Sequence, residues 1–456
     1  MDLYAPIARH LIAPLWAWKD YSLHYRYLKE FEKTQFWKPE EVQRLQWKLL
    51  KKILSYAYSQ CPFYKRRLDE LSIKPDHINS FEDFLQIPFL TKRDIQENID
   101  DLLAKDFPAN KRVPNQTGGS TGSPLVFYLD KERMDSRRAS TLRHNRWVGW
   151  EVGDKVGILW GARQDFTPIQ SLKAKIRNFL LDRYLVLDTS SVTEERLFEF
   201  SRQLLKYKPK VILAYANSMH LYAKFVQANQ IKGISPKSII TSAESLSQEE
   251  RQNIQDTFGC PVFDRYGSRE TSVIASECEQ HTGLHVNAET LYVEIIKNGK
   301  PTRPGEVGEV IITDLLNVAM PFIRYKIEDA ASWAKGDCPC GRGLLRLAKV
   351  EGRVTDFIIT PEEKLVSGTS LTIYLITNIP GLKQVQIVQD RKEHLLIKLV
   401  KDKSFNQESM QKFRQKISQM LGNSLQIDFE FVPEIHREPS GKYRFSISSV
   451  TPEFFR

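Results

Sequence analysis

"NQTGGSTGSPLVFYLD", residues 115–130, packs three glycines and four hydroxyl side chains into its first nine positions and then turns apolar. Two chemistries use such a stretch. Glycines let backbone N–H groups approach oxygens closely and hydroxyls add rotatable donors, which together make a phosphate-binding loop. The same residues also satisfy G-x-S-x-G through Gly118, Ser120 and Gly122, the pattern of a serine nucleophile on a strained strand-to-helix turn. The context separates them. Pro124 follows two residues after the motif and "LVFYL" reads as a strand, so a hairpin is expected where a hydrolase needs a helix. No His/Asp pair is marked out as a partner for Ser120. A Walker A loop is excluded, because no Lys-Ser/Thr follows the last glycine at the required distance.

Outward from this hairpin the chain changes character twice. The first hundred residues read as helical: in "PEEVQRLQWKLLKKILSYAY", Leu45, Leu49 and Ile53 recur at helical spacing, after Pro39 and two glutamates in a first turn. From Lys155 onward, "KVGILWG", "KVILAY", "SIITSA" and "PVFDRYG" are short β-branched or aromatic runs, the last three separated by helix-like stretches. Residues 247–250, "SQEE", are a capping-box signature opening one of those helices. This alternation predicts an α/β layer with a substantially parallel sheet. From His285 the chain reads as a β-rich meander, and after Asp356 strand and helix alternate again over about one small domain.

The expected fold is therefore α/β. It has a large N-terminal body with parallel-rich sheets and a β-rich subdomain, and a small α+β C-terminal cap. Residues 1–100 form a helical region packed on the body, 101–353 the core, and 354–456 a mobile cap hinged near 353–356.

At 456 residues the chain exceeds what one core usually supports. The longest apolar run, "LIAPLWAW" at residues 11–18, is too short to span a bilayer, which takes about 20 residues. It contains Pro14 and no small-residue cleavage site follows it, which argues against a signal peptide. Five unevenly placed cysteines and no export signal predict a cytoplasmic chain without disulfides. The net charge of +10 favours anionic partners. The positive charge is dispersed rather than gathered in a run, which disfavours nucleic acid. The aromatic, lightly basic N-terminus leaves peripheral membrane contact open, although an arm packed on the body is the expectation.

Four further elements follow the hairpin in order: "DRYGSRE" (264–270), "MPFIRYKIEDAA" (320–331), "EGRVTDFI" (351–358) and "REPSGKYRFSIS" (437–448). Together with the hairpin they resemble the ordered core motifs of the adenylate-forming enzymes, the acyl-CoA synthetase and ligase superfamily. The likeness is to the phenylacetate–CoA ligase-like branch, which includes CapK-type proteins of capsular polysaccharide biosynthesis, and it covers essentially the whole chain.

That resemblance implies a reaction and assigns roles. A carboxylic acid attacks the α-phosphorus of ATP to give an acyl-adenylate, and an acceptor, with coenzyme A leading, then takes the acyl group. Thr117, Gly118, Gly119, Ser120, Thr121 and Gly122 would hold the β- and γ-phosphates, Gly118 standing where many relatives carry a hydroxyl. Tyr266 would stack on adenine, with Ala243 and Glu244 of "SAES" bordering the base. Glu270 would bind Mg²⁺, a role suited to a hard oxygen ligand, with Arg269 where relatives usually have Thr. Asp329 would accept from both ribose hydroxyls, with Glu328 where a glycine is common. Arg353 would contact ribose or phosphate beside Thr355 at the hinge. Lys442, on a Pro/Ser/Gly turn, would enter the site for adenylation and bridge carboxylate and phosphate oxygens.

Cys278, His281, His285, Cys338 and Cys340 lie in two clusters, "SECEQHTGLHVN" and "GDCPCGRG". A C-x-C beside Cys and His suits tetrahedral Zn²⁺. Cys278, His285, Cys338 and Cys340 are the expected ligands of a structural zinc, His281 being the spare. Cys61 and Cys260 read as packing residues.

Three rivals stand beside the ligase reading. One is a CapK-type role with a sugar or amine as acceptor; one is a serine hydrolase; one is a non-catalytic nucleotide- or zinc-binding protein on the same fold. The acid is open. Trp160, Tyr215 and Asn217 are candidate pocket walls.

Overall fold

The computed structural model describes residues 2–117, 125–161, 171–189, 192–244, 246–351, 357–362, 365–435 and 446–448. Its centre is a twelve-stranded mixed sheet. One half is parallel: Tyr184–Asp188, Val156–Trp160, Val211–Tyr215, Ser238–Ser242 and Val262–Ser268 lie side by side in that order. These strands are short apolar runs because a parallel sheet is covered on both faces. Helices Glu194–Tyr207, Ala216–Ala228 and Gln248–Phe258 supply cover, burying Leu197, Phe200, Leu204, Phe225 and Ile254 against Ile212, Ile239 and Val262. Ser247 caps the last of them: its hydroxyl accepts the Glu250 N–H while the Glu250 carboxylate accepts the Ser247 N–H.

The other half is antiparallel, running from Ser272–Glu277 through Leu284–Val286, Arg346–Glu351, Tyr325–Trp333, Val307–Asp314 and Leu291–Lys297 to the edge strand Lys300–Pro301. In the meander, the run "LHVNAETLYVEII" forms two strands, Leu284–Val286 and Leu291–Lys297. The break is polar and buried. Arg143 donates to Glu289 Oε1 at 2.5 Å and to Asn287 Oδ1 at 2.8 Å, a charge pair that fixes the turn from the helix side.

The N-terminal helices pack on this antiparallel half and share one core with it, Leu50, Leu54, Tyr64, Leu68 and Phe84 meeting Val293, Val310, Ile312 and Ile323. Helix Pro39–Gln60 begins with Pro39, Glu40 and Glu41 in its first turn. Its inward face is offset from the Leu45/Leu49/Ile53 stripe: Val42, Gln46, Leu50, Ile53, Leu54 and Ala57 are buried, while Leu45 and Leu49 are half-buried. Gln46 belongs inside because its amide donates to the Leu291 carbonyl at 3.0 Å.

Beyond Arg346–Glu351 a second, four-stranded sheet forms with order Gln426–Phe431, His394–Lys401, Leu382–Arg391, Ser446–Ser448. It buries a separate core, Val385, Ile387, Leu395, Ile397 and Leu399 against Phe413, Ile417 and Leu421 of helix Gln407–Leu421. The expected hinge at 353–356 lies outside the described residues. No helix among the described residues is long and apolar enough to cross a membrane.

Candidate functional site

The glycine-rich stretch sits on a hairpin, Val113–Gln116 antiparallel to Val126–Leu129. Thr117 closes its base, donating its N–H to the Leu125 carbonyl and accepting the Leu125 N–H on Oγ1, both at 2.9 Å. The hydroxyl proton of Thr117 is left to donate elsewhere. Gly118, Gly119, Ser120, Thr121 and Gly122 lie outside the described residues. A strand on each side is the opposite of the strand-then-helix context that a nucleophile elbow requires.

The parallel strands bring several of the predicted residues to one edge. Register pairs Tyr215 with Ser242 and Ser242 with Arg265, so Trp160, Tyr215, Ala243 and Tyr266 all lie at the carboxyl ends of neighbouring strands. Open α/β sheets bind ligands at this edge. Trp160 and Tyr215 face each other with ring centroids 4.3 Å apart, tilted by 52°. Ala243 holds a left-handed backbone, φ 68°. It turns the chain so that the buried Glu244 reaches the first turn of helix Ala216–Ala228, where Oε2 accepts the Asn217 N–H at 2.8 Å. A carboxylate at a helix N-terminus is favoured by the helix dipole.

Tyr266 Oη donates to Asp329 Oδ2 at 2.8 Å, joining the predicted adenine and ribose contacts. Asp329 projects from strand Tyr325–Trp333, where the pairing with Val307–Asp314 slips between Glu309 and Ile311. Glu328 sits in this slip with φ 67°, a conformation that a glycine takes without strain. The departure from glycine at this position therefore leaves the bulge intact.

Glu270 lies on the turn between Val262–Ser268 and Ser272–Glu277. Gly267 is required there: a Cβ would come within 2.6 Å of the Ser272 carbonyl oxygen. Tyr325 Oη donates to Glu270 Oε1 at 3.0 Å. Beneath the turn runs helix Lys131–Trp147, which Asp130 caps by accepting the Arg133 N–H at 2.6 Å. Two of its arginines reach the turn. Arg137 Nη2 donates to the Arg269 carbonyl at 2.6 Å, and Arg133 Nη2 to the Thr271 carbonyl at 3.2 Å. Arg133 is fully buried and pairs with Asp314 at 2.6 Å. Arg137 Nη1 is buried without a hydrogen-bond partner among the described residues.

Cys278, His285, Cys338 and Cys340 converge, their ligand atoms all within 4.8 Å of one another. Cys278 Sγ and Cys338 Sγ are 3.7 Å apart, and Cys340 Sγ is 3.3 Å from His285 Nε2. Zinc at about 2.3 Å from each thiolate sets sulfur–sulfur separations of about 3.8 Å, so this donor set fits a tetrahedral zinc. His285 Nδ1 lies 3.1 Å from the Leu344 carbonyl. A carbonyl only accepts, so Nδ1 carries the proton and Nε2 keeps its lone pair toward the thiols. Burial holds His285 down at about 4, so the ring is neutral, and pushes the Cys278 thiol up to about 12. His281 turns away, its Nδ1 3.3 Å from Glu277 and its ring against Phe263. Cys61 and Cys260 are buried in apolar cores, and all five cysteines are free.

Arg353 and Lys442 lie outside the described residues. Sequence reasoning missed Arg133, Arg137 and Tyr325. The helix carrying the two arginines buries Arg133, Ser136, Ser140 and Arg143 and has no apolar stripe, so its pattern reads as a solvated surface helix. The signal available was five arginines, Arg133, Arg137, Arg138, Arg143 and Arg146, in one helix of seventeen residues.

Residues 358–449 match the family model of the CapK C-terminal domain. The chain is 25% identical over 415 residues to Protein CapK of Staphylococcus aureus, covering 90% of each chain. It is 26% identical over 329 residues to the phenylacetate-coenzyme A ligase of Escherichia coli (strain K12), covering 70% of this chain and 73% of that one. Among solved structures, 2-hydroxyisobutyryl-CoA ligase in its thioesterification state superposes with a TM-score of 0.63 at 19% identity, covering 90% of both chains. That last likeness is one of fold.

Proposed function

We propose that the chain is an adenylate-forming ligase of the kind it resembles, CapK and the phenylacetate–CoA ligases, and that it activates a carboxylic acid with ATP and passes the acyl group to coenzyme A. In the first step a carboxylate oxygen attacks the α-phosphorus, the bond to the bridging oxygen breaks, and pyrophosphate leaves. In the second, the coenzyme A sulfur attacks the acyl carbon, AMP leaves, and the thiol proton goes to solvent.

The observation that supports this reading is the hydrogen bond between Tyr266 and Asp329 at the carboxyl edge of the parallel strands. It joins a flat ring and a carboxylate, groups suited to stacking on a base and accepting from a ribose. In this reading Glu270, oriented by Tyr325, takes Mg²⁺, which when bound neutralises charge on the phosphate oxygens. Thr117 through Gly122 would hold the β- and γ-phosphates, Arg353 would contact ribose or phosphate, and Lys442 would bridge carboxylate and phosphate oxygens. The foursome of Cys278, His285, Cys338 and Cys340 holds a structural zinc. With all four positions filled by protein, that zinc has no open position for chemistry.

ATP–pyrophosphate exchange with a panel of aryl, fatty and hydroxy acids tests the first step. Acid-dependent exchange that vanishes in Lys442→Ala supports adenylation and identifies the acid class. Exchange with no acid, together with no ATP binding, refutes it. Adding coenzyme A or amino sugars in turn decides the acceptor; thioester formation favours the main reading, and N-acylation the CapK-type alternative.

A further inference from the structure

The N-terminal helix is packed inside out. Residues 4–19 are continuously helical, through Tyr4–Ile7, Ala8–Ile12 and Ala13–Lys19. The face against the protein is made of alanines: Ala5, Ala8, Ala13 and Ala17 are buried. The approach is close, since a Cβ on Gly153 would lie 2.7 Å from the Ala8 Cβ and 2.9 Å from the Ala5 carbonyl oxygen. The large apolar residues point the other way. Leu3, Ile7, Leu11, Leu15 and Trp18 recur every three or four positions on the outer face. A helix whose task is to pack on a core places leucine inward and small or polar residues outward. This one reverses the order.

A second helical segment extends the patch. Leu172–Arg177 and Asn178–Asp182 lie beside the first helix, with Tyr4 Oη donating to the Leu180 carbonyl at 3.0 Å and Asp2 paired with Arg183 at 2.7 Å. Leu172, Ile176 and Phe179 are exposed on it. The eight large apolar side chains of the two segments are 45–78% exposed. Contiguous patches of this kind mark an interaction surface.

Charge decides what it meets. Between Asp2 and Asp20 the first helix carries Arg9, His10 and Lys19 and no acid, and residues 171–182 carry Lys173, Lys175 and Arg177 against one acid, Asp182, which pairs with Arg177 at 2.9 Å. Between the segments lies a cleft of about 500 Å³ lined by Tyr4, Lys155, Lys175, Arg183, Tyr184 and Tyr207. Its charged lining is Lys155, Lys175 and Arg183, of which Arg183 pairs with Asp2. An apolar ridge flanked by lysines, about 24 Å long at 1.5 Å per residue, is built to lie in the plane of a membrane surface rather than across it.

We propose that this face docks on an anionic phospholipid bilayer, with Leu11, Leu15, Trp18 and Phe179 entering the acyl boundary and the Lys155/Lys175/Arg183 cleft taking a headgroup phosphate. The test is co-sedimentation of the full chain with vesicles of phosphatidylglycerol and phosphatidylcholine, against phosphatidylcholine alone. Binding to the anionic vesicles is expected to be about tenfold stronger or more, and to weaken with salt. Leu15→Glu/Trp18→Glu is expected to lower it at least about tenfold while leaving ATP binding and the melting temperature unchanged. Lys155→Ala/Lys175→Ala is expected to remove the anionic preference and spare the residual apolar binding. The proposal is overturned by absence of vesicle binding, by binding that the Glu variants leave intact, or by a concentration-dependent dimer that Leu15→Glu/Trp18→Glu dissolves in place of any vesicle binding.

Discussion

Arg133 and Arg137, one turn apart on a single helix, hold the carbonyl oxygens of Thr271 and Arg269, the residues on either side of Glu270. Guanidinium groups suit this task because each is a rigid fork of donors that stays charged when buried. The Asp314 carboxylate balances the charge of Arg133. Glu270 is thereby presented on a backbone clamped from below, with Tyr325 fixing its carboxylate from the side.

In the proposed reading, Arg137 acts on the Mg²⁺ held by Glu270 through that backbone. Arg137→Gln is expected to raise the Mg²⁺ concentration for half-maximal ATP–pyrophosphate exchange about tenfold, the scale of one lost charged hydrogen bond. The KM for the acid should change little. Arg137→Lys, which keeps the charge, should recover part of the loss. An unchanged Mg²⁺ dependence would remove Arg137 from the list of positioning residues.

Tyr266→Phe keeps the ring and deletes the hydrogen bond to Asp329. Loss of one neutral-to-charged hydrogen bond predicts a rise of roughly fivefold to tenfold in the KM for ATP, with kcat less affected. Exchange kinetics at varied ATP measure both. Tyr266→Ala, which also deletes the stacking surface, should weaken ATP further.

Asp264 makes stability depend on pH. Burial, and then the neighbouring Glu277 carboxylate, push its carboxyl up from 3.8 to about 7. Between those values the unfolded chain releases the proton while the folded protein keeps it, so this group's contribution to stability falls as pH rises through the window. Asp264→Asn cannot ionise. It is expected to raise Tm by a few degrees near pH 8 and to have little effect near pH 4. Thermal melts at the two pH values decide this; a gain confined to low pH would contradict the sign.

The cysteine–histidine cluster should carry about one zinc per chain, measured by metal analysis of protein purified without added metal. Cys340→Ser is expected to lower the zinc content severalfold and the melting temperature by several degrees. Added chelator should do the same to the parent protein. Cobalt substitution should give the intense visible absorption of a tetrahedral thiolate site. Metal-free protein with an unchanged melting temperature would refute the assignment.

Much of this was legible in the residues themselves. The parallel half of the sheet followed from its β-branched runs, since a strand covered on both faces has only one composition open to it. The Ser247 capping box was readable because its two hydrogen bonds are local. Thiols and imidazoles are rare enough that Cys278, His285, Cys338 and Cys340 could be grouped before their distances were known. Helix Pro39–Gln60 was legible as a helix, but its inward face was not: Gln46 is buried only because the Leu291 carbonyl waits opposite.

What the tertiary structure alone decided is which surface each element turns inward. Helix Lys131–Trp147 carries no apolar stripe, yet it runs through the interior, because Asp314, Glu289 and the carbonyls of residues 269 and 271 are there to receive its arginines. The first helix is the reverse case. "LYAPIARHLIAPLWAW" has an alanine face and a leucine–tryptophan face, and both are apolar. Hydrophobic periodicity places them on opposite sides without saying which one meets the protein. The close approach at Gly153 admits only the alanines, and that steric fit leaves the leucines and Trp18 facing outward.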